Sequence, residues 1–154
     1  MKVEDIVFKE GVAEDVENIL FDPYVYSSFC TQASEMYELA KPEDWLEYDW
    51  YVNEDRDILF FVRQLQNKTT LEAHVASLKS GRGKKLFDTL RALKIFLKTV
   101  YGKAEEVISP IPSFNKASKY AIVNAVGAER FYVVKNGIVK DRFFHDLIIF
   151  RVKL

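Results

Sequence analysis

Residues 71–102, "LEAHVASLKSGRGKKLFDTLRALKIFLKTVYG", carry the clearest structural signal in this sequence. An apolar run typical of a β-strand is followed by a glycine-rich basic loop, residues 81–85, and the loop leads directly into a long helix. Apolar residues recur along that helix at intervals of three and four, which predicts one buried face. These apolar residues are Leu86, Leu90, Leu93, Leu97 and Val100. The opposite face is basic and consists of Lys84, Arg91, Lys94 and Lys98.

The loop between this strand and this helix is suited to an anion. The first N–H groups of a helix have no carbonyl partner within the helix, and they carry partial positive charge. Gly81 and Gly83 allow close backbone approach, and Arg82, Lys84 and Lys85 add full charges suited to phosphates. The spacing matches neither a Walker P-loop nor a Rossmann glycine motif. By itself the loop favours a phosphate site and a solvated basic turn about equally.

The composition is that of one ordinary domain. The chain has 154 residues, 49% of them hydrophobic, which predicts a single core and a single domain over residues 1–154. It contains no apolar run of about 18 residues and no signal-peptide pattern, so we expect a cytoplasmic protein without membrane contact. The lone Cys30 excludes an internal disulfide, and two widely separated histidines give no metal-ligand spacing. We therefore expect neither metal nor redox chemistry.

The charge is unevenly distributed along the chain. Residues 1–57 carry 16 acidic and 4 basic side chains, whereas residues 58–154 carry 7 acidic and 18 basic ones. A basic half indicates an anionic ligand, and an acidic half attracts an amine or a basic partner. The alternative is that the two halves interleave in the fold and cancel locally.

The N-terminal part of the chain predicts strands and helices in alternation. Residues 2–10 have the alternation of a first strand, with Val3, Ile6 and Phe8 as its apolar positions, and residues 13–22 have the spacing of a helix. A short second helix is predicted to start near Pro42. Residues 47–53 and 57–66 predict a β-hairpin, and residues 69–78 a further antiparallel strand.

The C-terminal part predicts three more strands and one helix. Gly102 is placed to cap the long basic helix, and residues 105–112 form a short strand. A helix follows from Ser113 or Asn115 to Gly127. Residues 129–154 predict two final strands that turn at residues 136–137, an Asn-Gly pair. The total is about seven strands and four helices.

This order of elements, the loop "RGKKLF" at residues 82–87 and the helix that begins "SFNKAS" together resemble the GNAT superfamily of N-acetyltransferases. The resemblance implies an α/β (α+β) fold with a mixed, mostly antiparallel central sheet. It also implies acetyl-coenzyme A as cofactor, with its pyrophosphate bound by the loop and its pantetheine arm near Asn115. The implied pyrophosphate-binding residues are Leu78, Arg82, Gly83, Lys84 and Lys85.

The sequence departs from the GNAT pattern at several positions. Lys85 and Phe87 occupy the two positions where the family has small residues, and Ala128 stands where a phenylalanine is usual. The family's common general-acid tyrosine corresponds to Ile122. Tyr120, two residues earlier, is the nearest tyrosine, and packing is the favoured interpretation over catalysis.

Amine acylation needs a base that removes a proton from the acceptor. Glu72 and His74 alternate to the same side of the fourth strand, so both are candidates for that base. The alternative is a solvated strand carboxylate and a hydrogen-bonded histidine. Aromatic side chains of residues 24–51 correspond, by the resemblance, to the region where GNAT proteins bind the acyl acceptor.

Three functions follow from these observations. The first is acetyl-coenzyme A dependent acyl transfer to an amine of a small molecule or a protein. The second is a non-enzymatic GNAT-fold protein with virion proteins as partners. Small phage and prophage proteins, including a head-assembly protein of short-tailed phages, are similar to this chain. Such a protein would work in the host cytoplasm or the virion. The third, nucleic-acid binding by the basic helix face, is disfavoured because no aromatic platform accompanies it. The oligomeric state stays open.

Overall fold

The computed structural model describes residues 2–25 and 47–154. Cys30, the short helix predicted near Pro42 and most of the aromatic region of residues 24–51 lie outside these described residues. Within them, a single seven-stranded sheet has the strand order β1-β2-β3-β4-β5-β7-β6. The strands are β1 (Phe8–Glu10), β2 (Asp49–Asn53), β3 (Ile58–Gln64), β4 (Thr70–Ser77), β5 (Glu106–Pro112), β6 (Glu129–Lys140) and β7 (Phe143–Lys153).

Every strand pair of this sheet is antiparallel except β4 with β5, which is parallel. A parallel pair needs a crossover connection, and the long helix after the glycine loop supplies it. The mixed, mostly antiparallel sheet confirms the predicted fold class. In the described part of the chain three α-helices flank it: α1 (Ala13–Leu20), α2 (Lys84–Val100) and α3 (Lys116–Val126).

The sheet separates two hydrophobic cores. Alternate β4 residues, Leu71 and Ala73, face α2 and α3 and pack with Phe60, Leu93 and Ile122. The opposite face packs against α1, in a cluster that includes Val16, Ile19, Trp50, Phe61 and Ala76. The period of two in β4 therefore places Glu72 and His74 on the face opposite α2 and α3.

The first predicted strand is mostly wrong. Val3–Asp5 forms a 3₁₀ turn, with hydrogen bonds from Asp5 N to Lys2 O and from Ile6 N to Val3 O. Only Phe8–Glu10 pairs with β2. The earlier backbone groups bond locally, so the alternation of apolar residues does not extend the strand.

The ends of α2 also differ from the prediction. Val100 is 48% exposed, because the buried face of the helix ends at Leu97. The C-cap residue is Tyr101, whose N–H donates to Leu97 O, and Gly102 does not have a positive φ. Gly127 does end α3 as predicted, in the left-handed conformation at φ 67°.

The final hairpin turns five residues later than predicted. Asp141 and Arg142 form its turn, both with positive φ as in a type I′ turn. The Asn-Gly pair of residues 136–137 instead lies inside β6, where the register with β7 shifts between Val134 and Ile138. An Asn-Gly pair serves a bulge as well as a turn because both need positive φ, which Asn136 has at 53°.

Gly81, just before the helix loop, is expected to tolerate no side chain. A Cβ there would lie 2.6 Å from Ile58 Cγ1, 2.7 Å from Ser77 Oγ and 3.0 Å from Asp57 O. We expect Gly81→Ala to lower the free energy of unfolding by about 1–3 kcal/mol, measured by urea denaturation. Gly102→Ala is the control, since a Cβ there meets nothing within 4 Å, and an equal loss in both variants would contradict the steric argument.

Candidate functional site

The site begins where β4 and β5 part. Their parallel register covers three residue pairs and ends at Glu72 with Ile108. Beyond it, β5 continues to pair with β7 as far as Pro112, while β4 continues to pair with β3 as far as Ser77. The carboxyl ends of these two central strands are therefore not hydrogen-bonded to each other, and a cleft opens in the middle of the sheet.

Two pockets meet at this cleft. The loop pocket, about 270 Å³, lies between the starts of α2 and α3 and is lined by Ser77, Arg82, Gly83, Phe87 and Tyr120, among others. The cleft pocket, about 330 Å³, is lined by Tyr48, Phe61, Glu72, His74 and Pro110, among others. Both pockets share Val75, Asn115 and Ser118. A ligand in the loop pocket can therefore reach the cleft pocket at these three residues.

Arg82 supplies the positive charge of the loop pocket. Its Nη2 donates to Ser77 O at 3.2 Å, and its guanidinium carbon lies 3.7 Å from the centre of the Tyr24 ring. Its Nε is buried and has no hydrogen-bond partner among the described residues. Arg82 lines the loop pocket, and guanidinium N–H groups form strong, charge-assisted hydrogen bonds with phosphate oxygens.

Gly83 shapes the backbone of the same loop. It is the N-cap of α2 with φ 72° and ψ −139°, a conformation that glycine adopts without strain. The N–H groups of the first helical turn follow it and have no acceptor within the helix. A Cβ at Gly83 would meet no atom within 4 Å, so the loop surface is open there. The backbone and Arg82 together fit a phosphate group.

The other predicted phosphate ligands lie elsewhere. Lys84 extends into solvent and pairs with Asp88 at 2.5 Å, and neither it nor Lys85 lines the loop pocket. Lys85 Nζ lies 2.6 Å from both Asp55 and Asp57. Leu78 packs against the α1-side core and also lies outside the lining. The structure thus brings together only Arg82, Gly83 and Asn115 of the predicted cofactor residues.

Asp57 ties the loop to the β2–β3 hairpin. Its carboxylate accepts hydrogen bonds from Asn53 at 2.7 Å, Ser80 at 2.9 Å and Lys85 at 2.6 Å. Burial opposes ionisation of Asp57, but these three donors outweigh it and lower the pKa of the carboxyl. Lys85 is therefore an anchor for the start of α2, which explains a lysine where the family has a small residue.

Phe87 and Tyr120 contact each other across the loop pocket. Their ring centres lie 6.0 Å apart, and Tyr120 remains 64% exposed. Phe87 therefore narrows the loop pocket at the position where a GNAT protein has a small residue. Tyr120 does not line the cleft pocket, so it does not lie with Glu72 and His74. Ile122, at the family's tyrosine position, is buried in the core.

Glu72 and His74 form a pair on the wall of the cleft pocket. His74 Nε2 lies 3.2 Å from Glu72 Oε1, and the imidazole stacks on Phe61 with ring centres 4.7 Å apart. Arg63 Nε donates to the other carboxylate oxygen of Glu72. Burial opposes ionisation of Glu72, but His74 and Arg63 outweigh it and lower the pKa of this carboxyl. The anionic Glu72 accepts from Nε2, which leaves Nδ1 of His74 as the basic atom.

Arg63 and Asp57 are the residues that the sequence predictions missed. The hairpin register places Arg63 directly opposite Glu72, and cross-strand neighbours of opposite charge interact. A prediction of which residues pair across this hairpin would therefore have identified Arg63 as a neighbour of Glu72. Asp57 has no such signal, because Ser80 and Lys85 approach it only in the folded protein.

The basic face of α2 is largely engaged in local contacts. Arg91 bonds Asp88 and Ala125 O, and Lys98 donates to Ala104 O at 2.6 Å. Ion pairs also join the acidic and basic halves of the sequence, as in Arg63 with Glu47 and Lys85 with Asp55. The two halves therefore interleave, at least at these pairs.

Within residues 2–25 and 47–154, no helix is long and apolar enough to span a membrane. The same residues contain no group of three or more His, Cys, Asp or Glu side chains arranged to hold a metal ion.

The fold is that of the GNAT superfamily of N-acetyltransferases. A GNAT phosphinothricin acetyltransferase from Sinorhizobium meliloti, in complex with AcCoA, superposes with a TM-score of 0.67 at 18% identity, covering 97% of this chain and 88% of that one. A GNAT-family acetyltransferase from Bacillus anthracis gives 0.71 at 12% identity, covering 99% and 97%. An N-acetyltransferase from Staphylococcus aureus Mu50 gives 0.66 at 15% identity, covering 97% and 98%.

The sequence matches no family model and no curated protein. At these identities the structural likeness shows the fold, and the function has to be argued from the site.

Proposed function

We propose that this protein is an N-acyltransferase that transfers an acyl group from a coenzyme A thioester to an amine. The loop pocket would hold the pyrophosphate, with Arg82 and the backbone of the first turn of α2 as its ligands. The pantetheine arm would pass Asn115 and Ser118, where the loop pocket meets the cleft pocket. The amine would approach through the cleft pocket, and acetyl-coenzyme A is the simplest donor.

One observation carries this proposal. At the cleft between β4 and β5, a pocket lined by Arg82 adjoins a pocket lined by the hydrogen-bonded pair Glu72 and His74. The first pocket is suited to a phosphate group, and the second contains a candidate base. The residues that both pockets share, Val75, Asn115 and Ser118, support a donor that extends from one pocket to the other.

The donor supplies a thioester carbonyl carbon that an amine can attack. The new C–N bond forms at this carbon, the C–S bond breaks, and the sulfur leaves as a thiolate. His74 takes the proton from the amine at Nδ1, while Glu72 holds Nε2–H and stabilises the resulting imidazolium. The imidazolium would then return this proton through water to the departing sulfur, which yields the free thiol and restores neutral His74. Tyr120 lies with Phe87 on the wall of the loop pocket, so we assign it a packing role.

The cleft pocket also indicates the kind of amine. Its walls are Tyr48, Phe61, Pro110 and Leu147, which are apolar or aromatic. Arg63 neutralises much of the charge of Glu72, so a strongly cationic acceptor gains little there. An amine with an aromatic or apolar side group fits these walls, whether it belongs to a small molecule or to a protein.

Calorimetric titration with acetyl-coenzyme A tests the binding half of this proposal. We expect micromolar affinity for the wild-type protein and a loss of about 10- to 100-fold in Arg82→Ala, since bonds between arginine and phosphate are charge-assisted. Arg130→Ala removes the same charge from an exposed position on β6 and is the control. No binding up to millimolar ligand, or equal losses in both variants, would overturn the assignment of the loop pocket.

A non-enzymatic GNAT-fold protein is the second candidate, and the contact between Phe87 and Tyr120 favours it. These rings narrow the pocket where the cofactor pyrophosphate would approach. Such a protein would bind a partner, with virion assembly as the phage variant of this hypothesis. The absence of any coenzyme A binding in the titration would direct the search to protein partners.

A further inference from the structure

A third cavity lies behind the cleft, on the opposite side of the sheet. This apolar cavity, between the sheet and the pair α2 and α3, has a volume of about 60 Å³. Residues from six elements, β3, β4, β5, β7, α2 and α3, surround it; they include Phe60, Ala73, Leu93, Val107, Ile122 and Val126. A water-sized group needs roughly 10–15 Å³ on this measure, so the cavity has room for about four such groups.

The apolar cavity and the cleft pocket adjoin each other at the gap between β4 and β5. His74, Val75 and Ser109 line both the apolar cavity and the cleft pocket. Val75 lines all three pockets, so it lies where the proposed cofactor site, the proposed acceptor site and the apolar cavity adjoin. The gap exists because the backbone pairing of β4 with β5 stops at Glu72 and Ile108.

The walls of this cavity suit a hydrocarbon chain. Apart from His74, Lys94 and Ser109, the residues that line it are apolar. Water gains few hydrogen bonds in such a space, and each buried CH₂ group gains free energy from leaving water. A thioester bound beside Val75 would have this apolar space next to its acyl group.

We propose that the acyl group transferred by this protein is longer than acetyl, and that the apolar cavity holds its alkyl chain, with butyryl as the best fit. This inference rests on the proposed acyltransferase function. The reaction is the same as for an acetyl group: the acyl carbon loses its bond to sulfur and gains a bond to nitrogen. The longer chain stays bound until the amide product leaves. Ala73 and Val126 then set the chain length that the cavity accepts.

Calorimetric titrations with coenzyme A and its acetyl, butyryl, octanoyl and succinyl thioesters test the inference. Butyryl-coenzyme A adds two CH₂ groups to acetyl-coenzyme A and is expected to bind about tenfold more tightly. The octanoyl chain exceeds the cavity and should lose that gain. The succinyl chain carries a carboxylate and should bind no more tightly than acetyl.

Two variants of cavity residues and one control make the test specific. Ala73→Leu fills the cavity and is expected to remove the advantage of butyryl over acetyl. Val126→Ala enlarges the cavity without overpacking and should move the preferred chain length upward, which keeps the test decisive if Ala73→Leu does not fold. Val123→Ala, at an exposed position on the same helix, should keep the wild-type ratio.

The outcomes separate this inference from the proposed function. Equal affinities for all the thioesters would overturn the acyl cavity and leave the acyltransferase proposal intact. Tighter binding of succinyl- than of butyryl-coenzyme A would overturn the apolar assignment. No binding of any of these ligands, coenzyme A included, would overturn both proposals.

Discussion

His74→Ala is expected to lower kcat/KM for amine acylation by about 10²- to 10⁴-fold, the range typical for removal of a general base. The physical reason is that Glu72 and Arg63 fix the imidazole at the cleft, and no other described histidine lines that pocket. The rate is measured as release of the coenzyme A thiol in the presence of a panel of primary amines. Amines with an aromatic side group are tested first.

The second histidine of the chain supplies the control. His145 packs edge-on against Phe114, with ring centres 5.0 Å apart, and lies outside both pockets. His145→Ala should retain the wild-type rate. Glu72→Gln keeps the shape of the pair but removes the charge that stabilises the imidazolium, so it should lower the rate about tenfold. A His74→Ala variant with a wild-type rate would contradict the assignment of the base.

Asp57→Ala is expected to lower the free energy of unfolding by about 2–4 kcal/mol, measured by urea denaturation at pH 7. The change removes a buried acceptor from Asn53, Ser80 and Lys85 at once and leaves Nδ2 of the buried Asn53 without this acceptor. Asp55→Ala is a matched control, because Asp55 lies 2.6 Å from the same Lys85 Nζ. Its side chain is 69% exposed, against 7% for Asp57, so it should cost less than about 1 kcal/mol.

The stabilisation by Asp57 also has a defined dependence on pH. The pKa of Asp57 is lowered in the folded protein from its ordinary value of 3.8. The folded state therefore favours the charged form, and this contribution is fully present above pH 3.8 and lost as the pH falls through the lower, folded pKa. The stability difference between wild type and Asp57→Asn should accordingly shrink below about pH 4. A difference that is constant with pH would contradict a role for the charge.

Most of the helices and strands were predictable because their signals are local, whereas the mixed sheet was expected from the resemblance to GNAT proteins. The leucine spacing of α2, the alternation of Glu72 and His74 on β4, and the cap residues Asn115 and Gly127 all act within a few neighbouring residues. The wrong predictions at residues 3–5 and at residues 136–137 have the same origin. In each case one sequence pattern fits two local structures, and the extent of pairing with β2 or β7 decides between them.

The site was predictable only in part. Glu72 and His74 share a face because strand side chains alternate, and their hydrogen bond follows from that period. Lys85 was expected at the phosphate, but its long side chain can reach two anions, and only the folded chain places Asp55 and Asp57 beside it.

The sequence itself specified the elements, their order, the glycine loop and the alternation that places two polar side chains together on β4, since each depends on residues close in the chain. The tertiary structure added the contacts between distant segments: Arg63 with Glu72 across a hairpin, Lys85 with Asp57 across 28 residues, and Val75 at the meeting of three pockets. These groups are brought together only when the strands have paired and the helices have packed on the sheet, so no local pattern of residues specifies them.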